Sequence, residues 1–541
     1  MKIWIVSMEC AGIVEAGGVK DVTYALCENF VKEGNDVTLF IPVFAANSFS
    51  SLKNIQEHSF KADISLCGQT VQADYTTAQF IDFPGKVVLV NHPAFSEKQA
   101  VYVYTAEEQR LNPSHVCGTG HSDAHFLDSL LSKAAVSYGA AVSAKDLPDV
   151  IHCQDASTAV TPCYAALMQP AYFEKTTCFV TIHNAGPAYH HEFCNIDEAY
   201  YYTELPWNWL MDAANGVRVE PFLLASKNAV LTTVSTYYAT ELLNPANNDA
   251  TDGLSGIFAA RKIPVFGITN GIDYCHYSPE CPEISGLPFP METDSAELEG
   301  KYRNRDFFLR LCEKDLSDED KNCAYMEHLF RYGYLSSGDK GGAPCVYFVY
   351  HGRIVWQKGI SLLLQVMNAV LKEYDNVRFI IMGQGETAIE NEVQGLADLF
   401  AGKVVFFKGY NGRMSRLCVA AADFSVLPSY FEPCCLEDFI SQIFGTVPVA
   451  HETGGLRKII DGETGFLYPQ NTFESLYAAL EKAVDLRLNH FNTMKKMVRW
   501  ASHFVKDSYS WEFVIRNKYL KLFEKNMKKR KKPVDTFSRL V

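Results

Sequence analysis

Short runs of β-branched and aromatic residues recur along the chain, separated by longer stretches whose apolar residues fall three and four apart. The short runs predict buried strands and the longer ones amphipathic helices; their alternation predicts parallel sheets covered on both faces. In the first half, strands are expected near Ile3–Val6, Val37–Ile41, Val87–Val90, Val150–His152, Phe179–Ile182, Leu231–Val234 and Val265–Ile268. A second series starts at Val346–Tyr350 and continues through Arg378–Met382, Val404–Phe407, Phe424–Leu427 and Val447–Ala450. Between them, Tyr277 to Pro344 keeps no clean period over much of its length. Part of it reads as helix, while Asp315–Lys321 and Ser336–Gly342 read as surface insertion or linker.

At 541 residues the chain exceeds one ordinary core, so the two series imply two domains. The fold class is α/β, with two doubly wound, Rossmann-like domains. Such a pair leaves a cleft between the carboxyl ends of its strands, where ligands of these sheets bind. The expected division is 1–269, then 270–505 with an insertion at about 281–344, then 506–541. Asn270-Gly271-Ile272-Asp273 reads as a turn and, by position, as a hinge. The last segment carries an aromatic helix, Trp511 to Phe523, and a basic run, Lys528–Lys532. That run is either a solvated tail or a contact for an anionic polymer or membrane.

Composition narrows the function class. Apolar residues at 48% and charged residues at 21% describe a globular protein. A formal charge of −14 argues against nucleic acid as partner, and no apolar run approaches bilayer length. The opening Met1–Ser7 run reaches Glu9 too soon for a secretory leader and reads as a strand, so a cytoplasmic protein is expected. Its 16 cysteines are scattered through apolar segments without a C-x-x-C pair, which fits reduced, mostly buried thiols.

Chemistry concentrates at strand ends. After Phe424–Leu427 comes S-Y-F-E-P-C-C-L-E-D-F, which puts Glu432 at a turn before a predicted helix from about Leu436 to Phe444. A carboxylate suits a polyol and free helix-start amides suit an anion, so a sugar joined to a diphosphate would use both. Thr453-Gly454-Gly455 brings further amides to the same edge. In Gly352-Arg353-Ile-Val-Trp-Gln-Lys358-Gly359 two cations five residues apart can neutralise a leaving diphosphate, or simply flank a surface helix. In the first half, Gly17 and Gly18 follow strand one and permit positive φ, as a ligand cradle or a plain turn. His183-Asn184 and Asp155 end neighbouring strands, as ligands or as structural and capping residues. Tyr410 suits stacking on a base or core packing, and Tyr200–Tyr202 with Trp207 and Trp209 a sugar platform or an interface. His190-His-Glu-Phe-Cys194 lacks partners at metal spacing, so no metal is expected. No G-x-G-x-x-G is present, which disfavours a nicotinamide enzyme.

Taken in order, E-A-G-G-V-K-D-V, N-D-V-T-L-F-I-P, I-H-C-Q-D, T-I-H-N, T-T-V-S, I-T-N-G-I-D-Y, R-I-V-W-Q-K-G, F-E-P-C-C-L, F-G-T-V-P-V and T-G-G-L resemble the bacterial glycogen synthase and plant starch synthase family, over most of the chain. The resemblance implies the two-domain GT-B fold and retaining transfer of glucose from ADP-glucose or UDP-glucose to the non-reducing end of an α-1,4-glucan, with no cofactor. It implies that Arg353 and Lys358 grip the diphosphate, that Glu432 holds glucose hydroxyls and that His183 faces the reacting carbon. Asp21, Asp155, Asn184 and Asn270 would line the sugar side, and Tyr410 the nucleotide. Gly17, Gly18, Cys434, Leu436, Thr453, Gly454 and Gly455 would complete the substrate contacts. The last helix would return to the first domain.

The chain departs from the family pattern at three places. Glu15 stands where the first turn usually has lysine, with Lys20 as a candidate replacement cation. Gln154-Asp155-Ala156-Ser157 replaces H-D-W-H, and Cys435 and Glu437 replace the glycine and threonine of E-P-C-G-L-T. A catalytically weakened relative that binds glucan or nucleotide sugar as a regulator is the competing reading; another GT-B transferase is the third.

Overall fold

The computed structural model describes residues 1–295, 297–336 and 344–530. It divides into two compact units, Met1–Asn270 with the segment from Trp511 onward, and Gly271–Ser510. Residues 337–342 of the expected linker and residues 531–541 of the basic tail lie outside the described residues.

Among the described residues, the first unit carries a nine-stranded sheet. Its order runs Val265–Gly267, Ala229–Thr233, Thr177–Ile182, Val150–Gln154, Lys2–Val6, Asp36–Pro42, Lys86–Asn91, Gln69–Phe80 and Leu52–Leu66. The first seven pair in parallel, as their near-continuous apolar runs dictate. The last two form an antiparallel hairpin that the hydropathy pattern does not announce. Leu52–Leu66 is exposed along most of its length, and its turn carries Cys67 and Gly68, both at positive φ, without the usual Asn-Gly signal.

The segment from Trp511 packs onto this unit. Phe523 is fully buried, with ring centroids 5.6 Å from Phe30, 4.4 Å from Phe179 and 5.7 Å from His152. Arg516 grips Glu33 through two bonds of 3.0 and 2.7 Å.

The second unit has a seven-stranded sheet among the described residues, in the order Leu329–Leu335, Lys403–Gly409, Val377–Gly383, Val346–His351, Phe424–Leu427, Val447–His451 and Phe466–Tyr468. Here the expected 281–344 insertion needs correction. Leu329–Leu335 pairs antiparallel with Lys403–Gly409 as an edge strand, and the helix Glu299–Leu311 belongs to the core.

That helix hides its period because three of its buried residues are polar: Lys301, Asn304 and Arg305. Lys301 Nζ donates to the carbonyls of Ala420 at 2.8 Å and Phe444 at 3.3 Å and to Thr446 Oγ1 at 2.9 Å. Arg305 pairs with buried Asp423 at 2.7 Å, and Arg487 reaches the same carboxylate oxygen at 3.2 Å. The Tyr347 amide donates to the other oxygen at 3.0 Å, so one carboxylate ties two helices to the middle of the sheet.

Removing that anion should leave two buried guanidinium groups unpaired, at a cost of about 3–5 kcal/mol. Asp423→Ala is therefore expected to lower the urea midpoint sharply. An unchanged midpoint would mean the network does not hold these helices.

Candidate active site

In the second unit, the loops after two neighbouring strands are zipped together. Gly352 N donates to Met382 O at 3.1 Å, Ile354 N to Gln384 O at 2.9 Å and Glu386 N to Ile354 O at 2.7 Å. A Cβ at Gly383 or Gly385 would lie 1.9 or 2.0 Å from the carbonyl oxygens of Gly352 and Ile354, so glycine is required at both. This zip fixes the path from Arg353 to the turn Trp356–Lys358, where the helix Ile360–Glu373 begins.

Lys358 points inward and Arg353 outward. Lys358 Nζ meets Glu432 Oε2 at 2.6 Å, and Ser429 Oγ donates to the same oxygen at 3.1 Å. Burial opposes the charge on Lys358, but Glu432 and then Glu437 outweigh it and hold the ammonium well above its usual range. The Arg353 guanidinium is exposed and makes no ion pair among the described residues, while its carbonyl accepts the Tyr350 hydroxyl at 2.6 Å.

The turn after Glu432 is built around a second buried ammonium. Lys458 Nζ donates to the carbonyls of Cys434, Cys435 and Gly455 at 2.6, 3.0 and 3.0 Å and pairs with Asp438 at 2.8 Å. Cys435 sits at φ +62°, a conformation that favours glycine. Its thiol donates to Glu437 Oε2 at 3.0 Å, and the Leu436 amide reaches the same oxygen at 3.2 Å. Burial would raise the Glu437 pKa, but Lys358 and then His351 hold this carboxyl well below the carboxylate range. The Leu436 amide therefore faces the chain's own carboxylate.

The Gly455 amide is also committed, donating to Glu432 O at 2.7 Å, so the expectation that it faces sugar or phosphate is corrected. Gly455 is glycine because a Cβ would lie 2.1 Å from Cys434 O. Thr453 Oγ1 leans on Tyr430 O at 3.5 Å, and Cys434 is buried beside this turn. Tyr410 is 73% exposed, which removes its core-packing alternative. Sequence reasoning passed over an exposed stack of Trp356 on Tyr430, centroids 5.0 Å apart at 13°, and the bond from Trp356 N to Glu386 Oε1 at 2.9 Å. Exposed aromatics beside the cationic loop were the available signal.

In the first unit, the turn before the helix Val19–Lys32 closes on an interior carboxylate. Buried Glu9 accepts the amides of Ala16 at 2.9 Å and Gly17 at 2.6 Å, and the Tyr102 hydroxyl at 3.3 Å. The positive φ expected at this turn is absent: Gly18 lies at φ −80°, and Gly17 is small because a Cβ would stand 3.1 Å from Glu9 Oε1. Lys20 is not a free cation, since it pairs with Asp21 at 2.8 Å and Glu15 at 3.5 Å. Glu15 also accepts the Gly12 amide at 2.9 Å, so it braces the turn.

The carboxyl ends of the strands Val150–Gln154 and Thr177–Ile182 bring His183, Gln154 and Asp155 together. His183 Nε2 donates to Gln154 Oε1 at 2.9 Å, and burial pushes its pKa down to about 3, so the ring is neutral. The His183 amide donates to Asp155 Oδ1 at 3.3 Å. Asp155 sits at φ +63°, and burial, partly offset by His191, raises its carboxyl to about 7. Asn184 Oδ1 accepts the Gly186 amide at 2.8 Å, a local turn. Asn270 donates its amide to Val234 O at 3.1 Å, and its buried Oδ1 has no partner among the described residues. Tyr200, Tyr201 and Trp207 are exposed.

The fold brings Glu220, a partner not visible at sequence spacing, to His190 and Glu192. His190 donates from Nδ1 to Glu220 at 2.8 Å and from Nε2 to Ala185 O at 2.7 Å. Burial works against its charge, but Glu220 raises its pKa to about 9, so the ring is held as a cation that donates from both nitrogens.

Comparison with known proteins gives a consistent picture. A family model for the starch synthase catalytic domain matches residues 2–259, and one for glycosyl transferases group 1 matches residues 345–485. The chain is 26% identical to a glycogen synthase of Thermodesulfovibrio yellowstonii, covering 97% of each protein. It is 28% identical to a glycogen synthase of Myxococcus xanthus, covering 93% of this chain and 97% of that one. Among solved structures, it is similar in fold to the catalytic domain of starch synthase IV from Arabidopsis thaliana bound to ADP and acarbose. The TM-score is 0.76 at 21% identity, covering 97% of this chain and 99% of that one.

The raised Asp155 carboxyl gives a signed test. The folded state keeps this proton to about pH 7, whereas an unfolded aspartate loses it near 3.8, so the folded state loses stability as pH rises between the two. Asp155→Asn, which mimics the protonated form, is expected to raise Tm at pH 8 by several degrees over the parent and to leave it unchanged at pH 4. An equal shift at both pH values would contradict the assignment.

Proposed function

We propose, since the chain belongs to the bacterial glycogen synthase and plant starch synthase family of glycosyltransferases, that it moves glucose from ADP-glucose or UDP-glucose to the non-reducing end of an α-1,4-glucan with retention of configuration. The observation that carries this reading is the second unit's loop, where a half-buried Lys358 pairs with a sugar-competent carboxylate, Glu432, and Arg353 stands exposed five residues earlier. Arg353 gives a planar fork to phosphate oxygens and Lys358 a point charge. Charge-assisted bonds of this kind contribute about 1.5–3 kcal/mol each, and they strengthen as the diphosphate departs and its charge grows. Glu432 would orient glucose hydroxyls while keeping Lys358 ionised.

The remaining roles follow the family pattern. Neutral His183, held by Gln154, would present its ring to the sugar, with Asp155, Asn184, Asn270 and Asp21 as further polar contacts. Tyr410, being exposed, is free to stack on a base, with the Trp356–Tyr430 pair as a second aromatic surface near the same loop. Cys434, Leu436, Thr453 and Gly454 would shape the donor pocket from the turn after Glu432. No metal is required, because the two cations supply the charge stabilisation. Reduced thiols support a cytoplasmic setting: all 16 cysteines are free. No helix among the described residues is long and apolar enough to cross a membrane.

One observation favours the regulator reading: Lys358 already faces two carboxylates of its own chain. Incorporation of labelled glucose into glycogen from each donor, side by side, separates the two. Activity with at least one donor is expected, and Arg353→Ala and Lys358→Ala should each lower turnover at least about tenfold, the loss of roughly 1.4 kcal/mol. Arg353→Ala is the cleaner arm, because Lys358→Ala also strips a buried carboxylate of its counter-ion. Binding of nucleotide sugar without any incorporation would replace the transferase reading with the regulator.

A further inference from the structure

Glu437 opens the helix Glu437–Ile443 and turns back toward the loop that begins at Gly352. Its Oε2 accepts the Leu436 amide and the Cys435 thiol, and its Oε1 lies 3.8 Å from where a Cβ on Gly352 would stand. It therefore fills the space over the start of the Gly352–Lys358 loop, against the strand end from which Arg353 emerges. The cation that acts on it most strongly, Lys358, is already paired with Glu432 at 2.6 Å, so the loop's inward-facing positive charge faces two negative ones. The other buried lysine of the turn is committed to Asp438 and three carbonyls and cannot rebalance this group. Exposed Arg353 is the cation of the loop that remains open to a ligand.

An incoming diphosphate would need what Glu437 now holds: the Leu436 amide and a share of the field of Lys358. Two anions cannot share that position without strong repulsion in a site of low dielectric. We infer that Glu437 is a built-in competitor for the donor's phosphates, a specificity-determining residue that weakens nucleoside diphosphate binding until the carboxylate swings away. The Cys435 thiol is part of the device, because it donates to the same carboxylate oxygen as the Leu436 amide. Since Lys358 and His351 keep Glu437 ionised far below neutrality, acidification within the physiological range does not lift the block.

This inference rests on the donor reading proposed above. It is tested by titration calorimetry on the full chain and on Glu437→Gln, with ADP, UDP, AMP and UMP as probes. Glutamine keeps an oxygen for the Leu436 amide and the thiol but removes the charge. Glu437→Ser is the second variant, used where the first lowers Tm.

The diphosphates are expected to bind the variant at least about tenfold more tightly than the parent chain, and the monophosphates to gain clearly less, because repulsion grows with the charge brought in. Equal gains for mono- and diphosphates, or diphosphate binding that is unchanged, overturns the competitor role alone. Failure of the parent and both folded variants to bind any of the four nucleotides overturns the donor reading, and this inference with it.

Discussion

Two inward-facing ammonium groups of the second unit, one half-buried and one buried, organise the surroundings of the candidate donor site. Lys358 and Lys458 stand among Glu432, Glu437 and Asp438, and Lys458 also gathers three carbonyls of the turn. A buried charge without a partner costs several kcal/mol, so the backbone from Ser429 to Lys458 folds to bring acceptors to these groups. That requirement sustains the unfavourable conformation of Cys435 and the contact of Gly455 with Cys434. Burial raises the Asp438 carboxyl to about 6 despite Lys458 alongside it, which shows how dry the turn is. In a site with this much internal charge, a ligand enters by exchanging partners.

The two units treat their anion-competent turns alike. In the first, Glu9 takes the amides of Ala16 and Gly17; in the second, Glu437 takes the amide of Leu436. Each turn is held in shape by the chain's own carboxylate. For the first turn this makes the absent lysine at position 15 less of a loss than it reads, since the turn does not need a cation to keep its form. For the second, the same economy works against the donor.

Much of the fold was legible in the sequence, and what escaped did so for definable reasons. Parallel strands betray themselves because both faces are buried and the run is apolar throughout, as in Val346–His351. The hairpin Leu52–Phe80 escaped because most of its first strand faces solvent. The place of the helix Glu299–Leu311 in the core escaped because its inward side carries Lys301, Asn304 and Arg305, and the partners of Lys301 and Arg305 lie over a hundred residues away. In the site, residue identities could be read from motif order, but the direction of a side chain could not. Lys20 reads as a cation offered to a ligand, yet it is neutralised locally by its neighbours Glu15 and Asp21. Glu9 and Lys458 belong to no obvious pattern, since what makes them matter is the set of backbone groups that only the fold assembles.

The return of the chain to its first unit has a consequence for biogenesis. Phe523 fills a place between Phe30, His152 and Phe179, all of which precede the second unit in the chain. During translation the leading sheet therefore waits, with that aromatic seat open, while the whole intervening unit is made. The trailing unit is contiguous and free to mature as soon as it emerges. The half that begins first is the half that finishes last, and in that interval an exposed apolar notch is available to chaperones or to aggregation.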